Sequence, residues 1–301
     1  MRFLPSRRGL LLGAAAAALG GCDRIASTGW GRRALKVGED ANFFVQRMLL
    51  TPATLAPEYA ESDISPWFKP NGTEDPPDRE YKALVRRKFA DFRLEVGGLV
   101  QRPLKLSLAE LRALPARTQV IRHDCVEGWS CIGKWTGVPL SELLDRAGLK
   151  PEAPFVVFRC ADTMEGGENE PEEDGDDAGG NANPAMTQQS GAAEDKRSSV
   201  GQRSGSAARI GNSLSSEPVR YYESIDLVDA FHPQTILAYD MNGAALPVAH
   251  GAPLRLRLER QLGYKMAKYV MRVDVVADLS DIGNGKGGYW EDQGYAWFAG
   301  I

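Results

Sequence analysis

The sequence predicts an α+β fold, and three observations carry that reading. Short runs alternating apolar and polar residues, the period of a half-buried strand, recur along the chain. Short helical segments lie among them without the regular strand–helix alternation of a doubly wound sheet. The composition, 43% hydrophobic and 25% charged over 301 residues, is that of a soluble globular chain with ample apolar surface for a core. A net charge of −4, from 36 basic and 40 acidic residues, leaves no electrostatic footprint for nucleic acid. The four cysteines, Cys22, Cys125, Cys131 and Cys160, are too few for a disulfide scaffold and lack zinc-type spacing.

The chain opens on a targeting pattern. Ser6-Arg7-Arg8-Gly9 leads into an alanine- and leucine-rich run ending at Leu19, too short for a comfortable membrane span. The paired arginines match a twin-arginine export signal. Leu19-Gly20-Gly21-Cys22 resembles a lipoprotein box, in which Cys22 carries a lipid anchor. Residues 1–21 therefore read as a signal peptide, and the mature chain is expected in the periplasm.

Residues 22–90 read as an N-terminal extended arm, with Asn42-Phe43-Phe44-Val45 as a short extended segment. Thr51-Pro52 and Ser65-Pro66-Trp67 punctuate it as loops. Residues 91–301 read as the catalytic domain. Phe92 to Val96 alternates as a strand, and Gly97-Gly98 follows as a turn. Ser107 with Glu110 forms a capping box for a short helix. Thr118 to Ile121 is a strand, Leu140 to Ala147 a helix ended by Gly148, and Phe155 to Phe158 another strand. Residues 164–218 are acidic, then Ser/Gly/Ala-rich, and read as a disordered insertion. Beyond it, Ser224 to Ala230 reads as a helical turn and Thr235 to Asp240 as a strand entering an Asn242-Gly243 hairpin. Leu254 to Leu258 and Tyr269 to Val276 are strands, and Gly287 to Ile301 is a Tyr/Trp-rich strap without a chemical signal.

The chemistry concentrates in Arg122-His123-Asp124-Cys125-Val126-Glu127-Gly128-Trp129-Ser130. Directly after a strand, this loop can present side chains that a packed core would bury. Read from residues alone, Cys125 is either an inert buried thiol or a reactive one. A Cys125–His123 nucleophile pair lacks an evident orienting third group. The glycine-rich run from Gly283 to Gly288 has no strand–helix context and reads as a turn. Cys125 could serve as a soft metal ligand. Arg255, with Lys265 or Lys268, could hold a phosphate, although Arg255 and Arg257 would ordinarily form a solvated strand face.

Cys125-Val126-Glu127-Gly128-Trp129-Ser130 and Trp135-Thr136-Gly137-Val138-Pro139-Leu140 resemble the molybdopterin-binding domain of the sulfite oxidase family, nearest its periplasmic MsrP-like branch. Asp229-Ala230-Phe231-His232-Pro233-Gln234-Thr235, His250-Gly251-Ala252-Pro253-Leu254-Arg255 and Gly263-Tyr264-Lys265-Met266-Ala267-Lys268 continue the likeness in the family's order. The resemblance implies a Mo-molybdopterin cofactor with Cys125 as the thiolate ligand to molybdenum. It places Asn42 and Phe44 over the pterin and Cys160 where reductase-like members carry a cofactor-contacting threonine. His250 and Arg255 stand for an Asn…Arg pair, and Met266, Ala267 and Lys268 for the loop around the pterin phosphate. Glu127 is either a proton relay during oxygen-atom transfer or a hydrogen-bond partner. The implied activity is reduction of a small S-oxide or N-oxide. The alternatives are oxidation of sulfite or a similar anion, and a cofactor-binding module that recruits a partner. Without a Cys-x-x-Cys-His haem motif, electrons are expected from a membrane cytochrome b or a cytochrome c. The family's dimer-forming domain finds no room before Ile301, so a monomer is expected.

Overall fold

The computed structural model describes residues 28–52, 54–164 and 219–301. The signal peptide, Cys22 and residues 165–218 of the expected insertion lie outside the described residues; Met164 is still strand.

Where an extended arm is expected, the chain forms a helix, α1, from Gly29 to Leu49. Thr28 caps it by accepting the Gly31 N–H at 3.0 Å. It ends just before Thr51-Pro52, where a proline disfavours helical backbone at the residue ahead of it. Asn42 to Val45 is therefore helical. A second helix, α2 (Arg79–Arg86), is capped by Asp78 through the Tyr81 N–H at 2.7 Å.

Two five-stranded sheets follow among the described residues. One has the order β2 (Leu104–Ser107), β1 (Arg93–Gly98), β10 (Val270–Val276), β5 (Phe155–Met164), β6 (Val219–Asp226). Its β1–β10 pair is parallel and the others antiparallel. The other runs β3 (Arg117–Asp124), β4 (Ser130–Pro139), β7 (Ile236–Met241), β8 (Ala244–Ala245), with β9 (Arg255–Arg257) also on β7. The helices between are short: α3 (Leu108–Arg112), α4 (Leu140–Ala147), α5 (Leu227–Ala230) and α6 (Tyr289–Asp292). The capping box at Ser107 and Glu110 closes in both directions, at 3.2 and 2.8 Å. The helical turn expected from Ser224 is shorter, because β6 runs to Asp226 before α5 begins.

The core explains the register. Leu94 and Val96 of β1 are buried between exposed Arg93 and half-buried Glu95, as alternation requires. On α4, Leu140, Leu143, Leu144 and Ala147 sit at helical spacing and are fully buried in the same cluster as Val156 to Phe158. Burying each leucine contributes about 1.5–3 kcal/mol. β4 has little strand signature in sequence because Gly133, Gly137 and Pro139 interrupt it. Gly137 is required there: a Cβ would meet the Leu237 carbonyl oxygen at 2.2 Å, so β4 and β7 approach closely only at glycine.

Arg255 and Arg257 do not form a solvated face. Both are fully buried, with Leu256 between them buried as well. Arg257 forks onto Glu259 at 2.9 and 2.6 Å and lies 4.4 Å from the Trp135 ring centroid.

Candidate active site

β3 and β4 pair down to Asp124 opposite Ser130, and the five residues between them close a tight loop. The Cys125 N–H donates to the Trp129 carbonyl at 3.0 Å, and the Gly128 N–H to the Cys125 carbonyl at 3.1 Å. Gly128 turns with φ +81°, which a Cβ would oppose. Cys125 is thereby fixed at the loop tip, 9% exposed, in the wall of a cavity of about 220 Å³. Burial pushes its thiol up, against the backbone N–H groups of Glu127 and Val126, which favour the thiolate.

The facing wall is the segment expected to hold a phosphate. Met266, Ala267 and Lys268 line the cavity. The Leu256 N–H pins the segment by donating to the Ala267 carbonyl at 2.8 Å. Gly251 makes room for Lys268, since a Cβ there would stand 2.9 Å from the lysine Cβ. The Lys268 ammonium donates to the carbonyls of Asn71 at 2.5 Å and Ala249 at 3.1 Å, and to that of Thr73. Arg255 donates to Asn71 Oδ1 at 2.8 Å and to the His250 carbonyl at 3.2 Å, while its Nε has no partner. Neither cation has a carboxylate partner within ion-pair distance among the described residues. Burial lowers the Lys268 pKa to about 7, with Arg255 adding to it, and lowers that of Arg255 to about 9, with Arg257 adding to it. Burial also holds His250 neutral, at about 4, with Nδ1 unpartnered.

Arg255 and His250 stand behind Asn71 and Lys268 and do not themselves line the cavity. Asn42 and Phe44 do not line it either. They sit on exposed positions of α1, because the helix turns other residues toward the body. Cys160 is buried in the core beside Phe158 and Val270. The pairing of β5 with β6 shifts register between Arg159 and Thr163, and from β5 it is Asp162 and Met164 that reach the cavity.

Glu127 does line the cavity, half exposed. It accepts from Trp129 Nε1 at 2.8 Å and pairs with Lys69 at 3.3 Å; the Trp129 bond holds its carboxyl below the usual range. That geometry suits a tie within the loop better than a store of protons. His123 is fully buried, with Nδ1 at 3.2 Å from both Arg257 Nη1 and Met266 Sδ, and burial keeps it neutral. No contact described for it reaches Cys125. Arg122 pairs with Asp124 on the exposed side. Cys131 is a free, half-buried thiol.

Sequence reasoning missed the remaining lining. Asn71, Gly72 and Thr73 reach the cavity because residues 58–65 run along β3 and β4, with the Tyr59 N–H donating to Val120 and the Ser65 N–H to Ile132. Their sequence signal is only an Asn-Gly turn. The strap, from which no chemistry was expected, supplies Trp290 and Tyr295 at the cavity, beside Tyr221, Tyr264 and Met164.

The family model for the oxidoreductase molybdopterin binding domain matches residues 82–175 and 194–282. A protein from Azospira oryzae carrying the name protein-methionine-sulfoxide reductase subunit YedZ1 is 36% identical over 260 residues, 86% of this chain and 73% of that protein. The protein-methionine-sulfoxide reductase catalytic subunit MsrP of Xanthomonas axonopodis pv. citri is 29% identical over 201 residues, 66% of this chain. The chain spans about half, 49%, of that relative's length. Among solved structures, the sulfane dehydrogenase SoxCD from Paracoccus pantotrophus is similar at TM-score 0.41 and 20% identity, over 63% of this chain and 39% of that one.

The residues present fit a molybdopterin. Two buried cations without an ion-pair partner among the described residues, Lys268 in the cavity wall and Arg255 behind Asn71, suit its phosphate, and Asp162 Oδ1 is an orphaned polar atom of a cavity-lining residue. Among the described residues no group of three or more His, Cys, Asp or Glu could hold a metal ion unaided, so a metal at Cys125 needs further ligands from a cofactor. The chain belongs to the oxidoreductase molybdopterin-binding family, the sulfite oxidase type, and its cofactor is the molybdenum cofactor.

Proposed function

We propose that the chain is an exported molybdenum-cofactor reductase that removes the oxygen atom of a neutral S-oxide or N-oxide, with electrons from a separate partner. The observation that carries this reading is the cavity wall around Cys125. Tyr221, Tyr264, Trp290, Tyr295, Met164 and Val126 make it apolar and aromatic, and no arginine lines it among the described residues. An anion such as sulfite would meet the carboxylates of Glu127 and Asp162 there, and the cation that lines the cavity among the described residues, Lys268, would serve the pterin phosphate. A neutral, weakly polar sulfoxide meets no such conflict. The names of the Azospira and Xanthomonas relatives support the same substrate class.

When bound, the cofactor supplies the two-electron oxygen-atom chemistry; the protein supplies orientation and electrostatics. Cys125 would be the metal's protein ligand. Lys268, with Arg255 behind Asn71, would hold the phosphate, and His250, behind the wall, would steady Arg255 through its carbonyl. The aromatic wall would seat the substrate's alkyl groups and exclude water. Overall, the S-oxide, two electrons and two protons give the sulfide and water, so proton supply is part of the task. Export is supported by Arg7-Arg8 before the apolar run and membrane attachment by Cys22, all outside the described residues. The missing haem motif makes a membrane cytochrome b or a cytochrome c the natural electron partner.

The test uses cofactor-loaded protein with a reduced dye as donor. Turnover of methionine sulfoxide or dimethyl sulfoxide, with no sulfite-dependent reduction of cytochrome c, is the expected result. Sulfite oxidation without sulfoxide turnover would establish the alternative chemistry. Folded protein from a molybdenum-replete host that holds neither metal nor pterin would leave only the partner-recruiting module.

A further inference from the structure

The helix α1 carries an apolar stripe that packs against nothing in the described chain. Trp30, Ala34, Val37, Ala41, Phe44 and Met48 recur at intervals of three and four, within an arc of about 100°. Trp30 and Val37 are each 67% exposed, Phe44 65% and Met48 64%. This is not a loose end. The opposite side of the helix is fastened to the body: Phe43 packs edge-on against Phe298 at 4.9 Å, and Gln46 Nε2 donates to the Gly300 carbonyl at 3.1 Å. Arg47 forks onto Asp226 and Asp229 at 2.8 to 3.0 Å. The fastening holds the stripe outward over roughly 30 Å of helix.

We propose that α1 is an interfacial helix that lays this stripe into the surface of an anionic lipid bilayer. Three features favour lipid over another occupant. The stripe mixes a tryptophan with small and medium apolar residues and has Arg33 at its edge, about 60° round the helix from Trp30, with Lys36 and Arg32 further round on the polar side, the pattern of a helix lying in a bilayer interface. Lys36 pairs with Asp40 at 2.6 Å, whereas Arg33, at the stripe's edge, forms no ion pair among the described residues and is available to a lipid phosphate. The helix is too charged to span a bilayer, since among the described residues no helix is long and apolar enough to cross a membrane. Chain length agrees: six residues separate Cys22 from Gly29, a reach of about 25 Å at most over the seven steps, so an anchored Cys22 would keep the helix start near the lipid headgroups. The inference uses the proposed export only for this last point and is otherwise independent of the activity.

The test uses cofactor-loaded protein from Asp23 onward, which keeps every described residue and removes both the leader and any lipid on Cys22. It should sediment with vesicles of phosphatidylglycerol and phosphatidylethanolamine and far less with phosphatidylcholine alone. Val37→Glu with Met48→Glu should lower the vesicle-bound fraction at least about tenfold, the loss of about 1.4 kcal/mol or more of partitioning free energy. Leu35→Glu adds the same charge about 140° round the helix from Trp30 and should leave binding intact. Circular dichroism and dye-linked turnover of all three proteins should match. Absence of anionic-vesicle binding by the parent protein would overturn the proposal, as would equal binding by the double variant. So would a dimer in solution that the double variant dissolves without any vesicle binding, because the occupant would then be a second copy. Loss of turnover with vesicle binding retained would count against the reductase reading alone.

Discussion

Replacing Lys268 with methionine separates the cofactor's counter-charge from the fold. Lys268 is 7% exposed, and its ammonium spends its donors on the carbonyls of Asn71, Thr73 and Ala249. With no anion present, burial places its pKa at about 7 instead of the ordinary 10.5. Between those values the unfolded chain holds a proton that the folded apo-protein lacks, so apo stability rises with pH from about 7 to about 10. The drop from 10.5 to about 7 corresponds to an upper limit on the order of 5 kcal/mol. Methionine keeps the packing of the stem and has nothing to titrate, so the variant's apo stability should lack this rise. In the loaded protein a phosphate held by Lys268 would favour its charged form. Removing that charge-assisted bond should cost about 1.5–3 kcal/mol of cofactor affinity, roughly 10- to 150-fold in retention. Denaturant unfolding of apo wild type and Lys268→Met across pH 7 to 10, with molybdenum measured by mass spectrometry after dialysis, reads both effects. Parallel pH curves for the two apo-proteins would refute the burial argument. Unchanged molybdenum retention would refute the phosphate role.

Cys125→Ser should lose molybdenum and dye-linked turnover while the apo-protein's melting temperature stays within a few degrees, because the side chain sits at a loop tip rather than in a core cluster; full activity in this variant would remove the ligand assignment. Glu127→Gln should change turnover by no more than about fivefold, since its partners Lys69 and Trp129 are surface ties worth about 1 kcal/mol or less; a loss of several hundredfold at an unchanged melting temperature would instead mark a proton carrier. Gly263→Ala places a Cβ 2.5 Å from His123 Cε1 and should cost about 1–3 kcal/mol by overpacking, measured by denaturant unfolding. Leu143→Ala, fully buried on α4, should cost about 2–5 kcal/mol in the same assay without altering the metal content of the protein that folds.

The sequence by itself determined the elements whose causes are local. The capping box at Ser107, the Gly148 stop after α4, the alternation of β1 and the Asn242-Gly243 turn follow from neighbouring residues, and each is present in the structure. It also determined the loop of Cys125 and the Met266–Lys268 segment, because a specific run of residues marks both. Tertiary structure decided which distant residues complete the site. Asn71 to Thr73 reach Lys268 only because the chain after Glu58 runs along β3 and β4. Trp290 and Tyr295 reach the cavity only because the strap folds back, with Gln261 bridging Gly300. Burial inverted the ordinary reading of Arg255 and Arg257, since alternation marks two faces of a strand but not whether both are covered. The same limit moved Asn42 and Phe44 from the cofactor to an exposed helix, and Cys160 from the cavity into the core. A short motif records the chemistry a chain carries, while the side of an element that faces a ligand depends on everything packed against it.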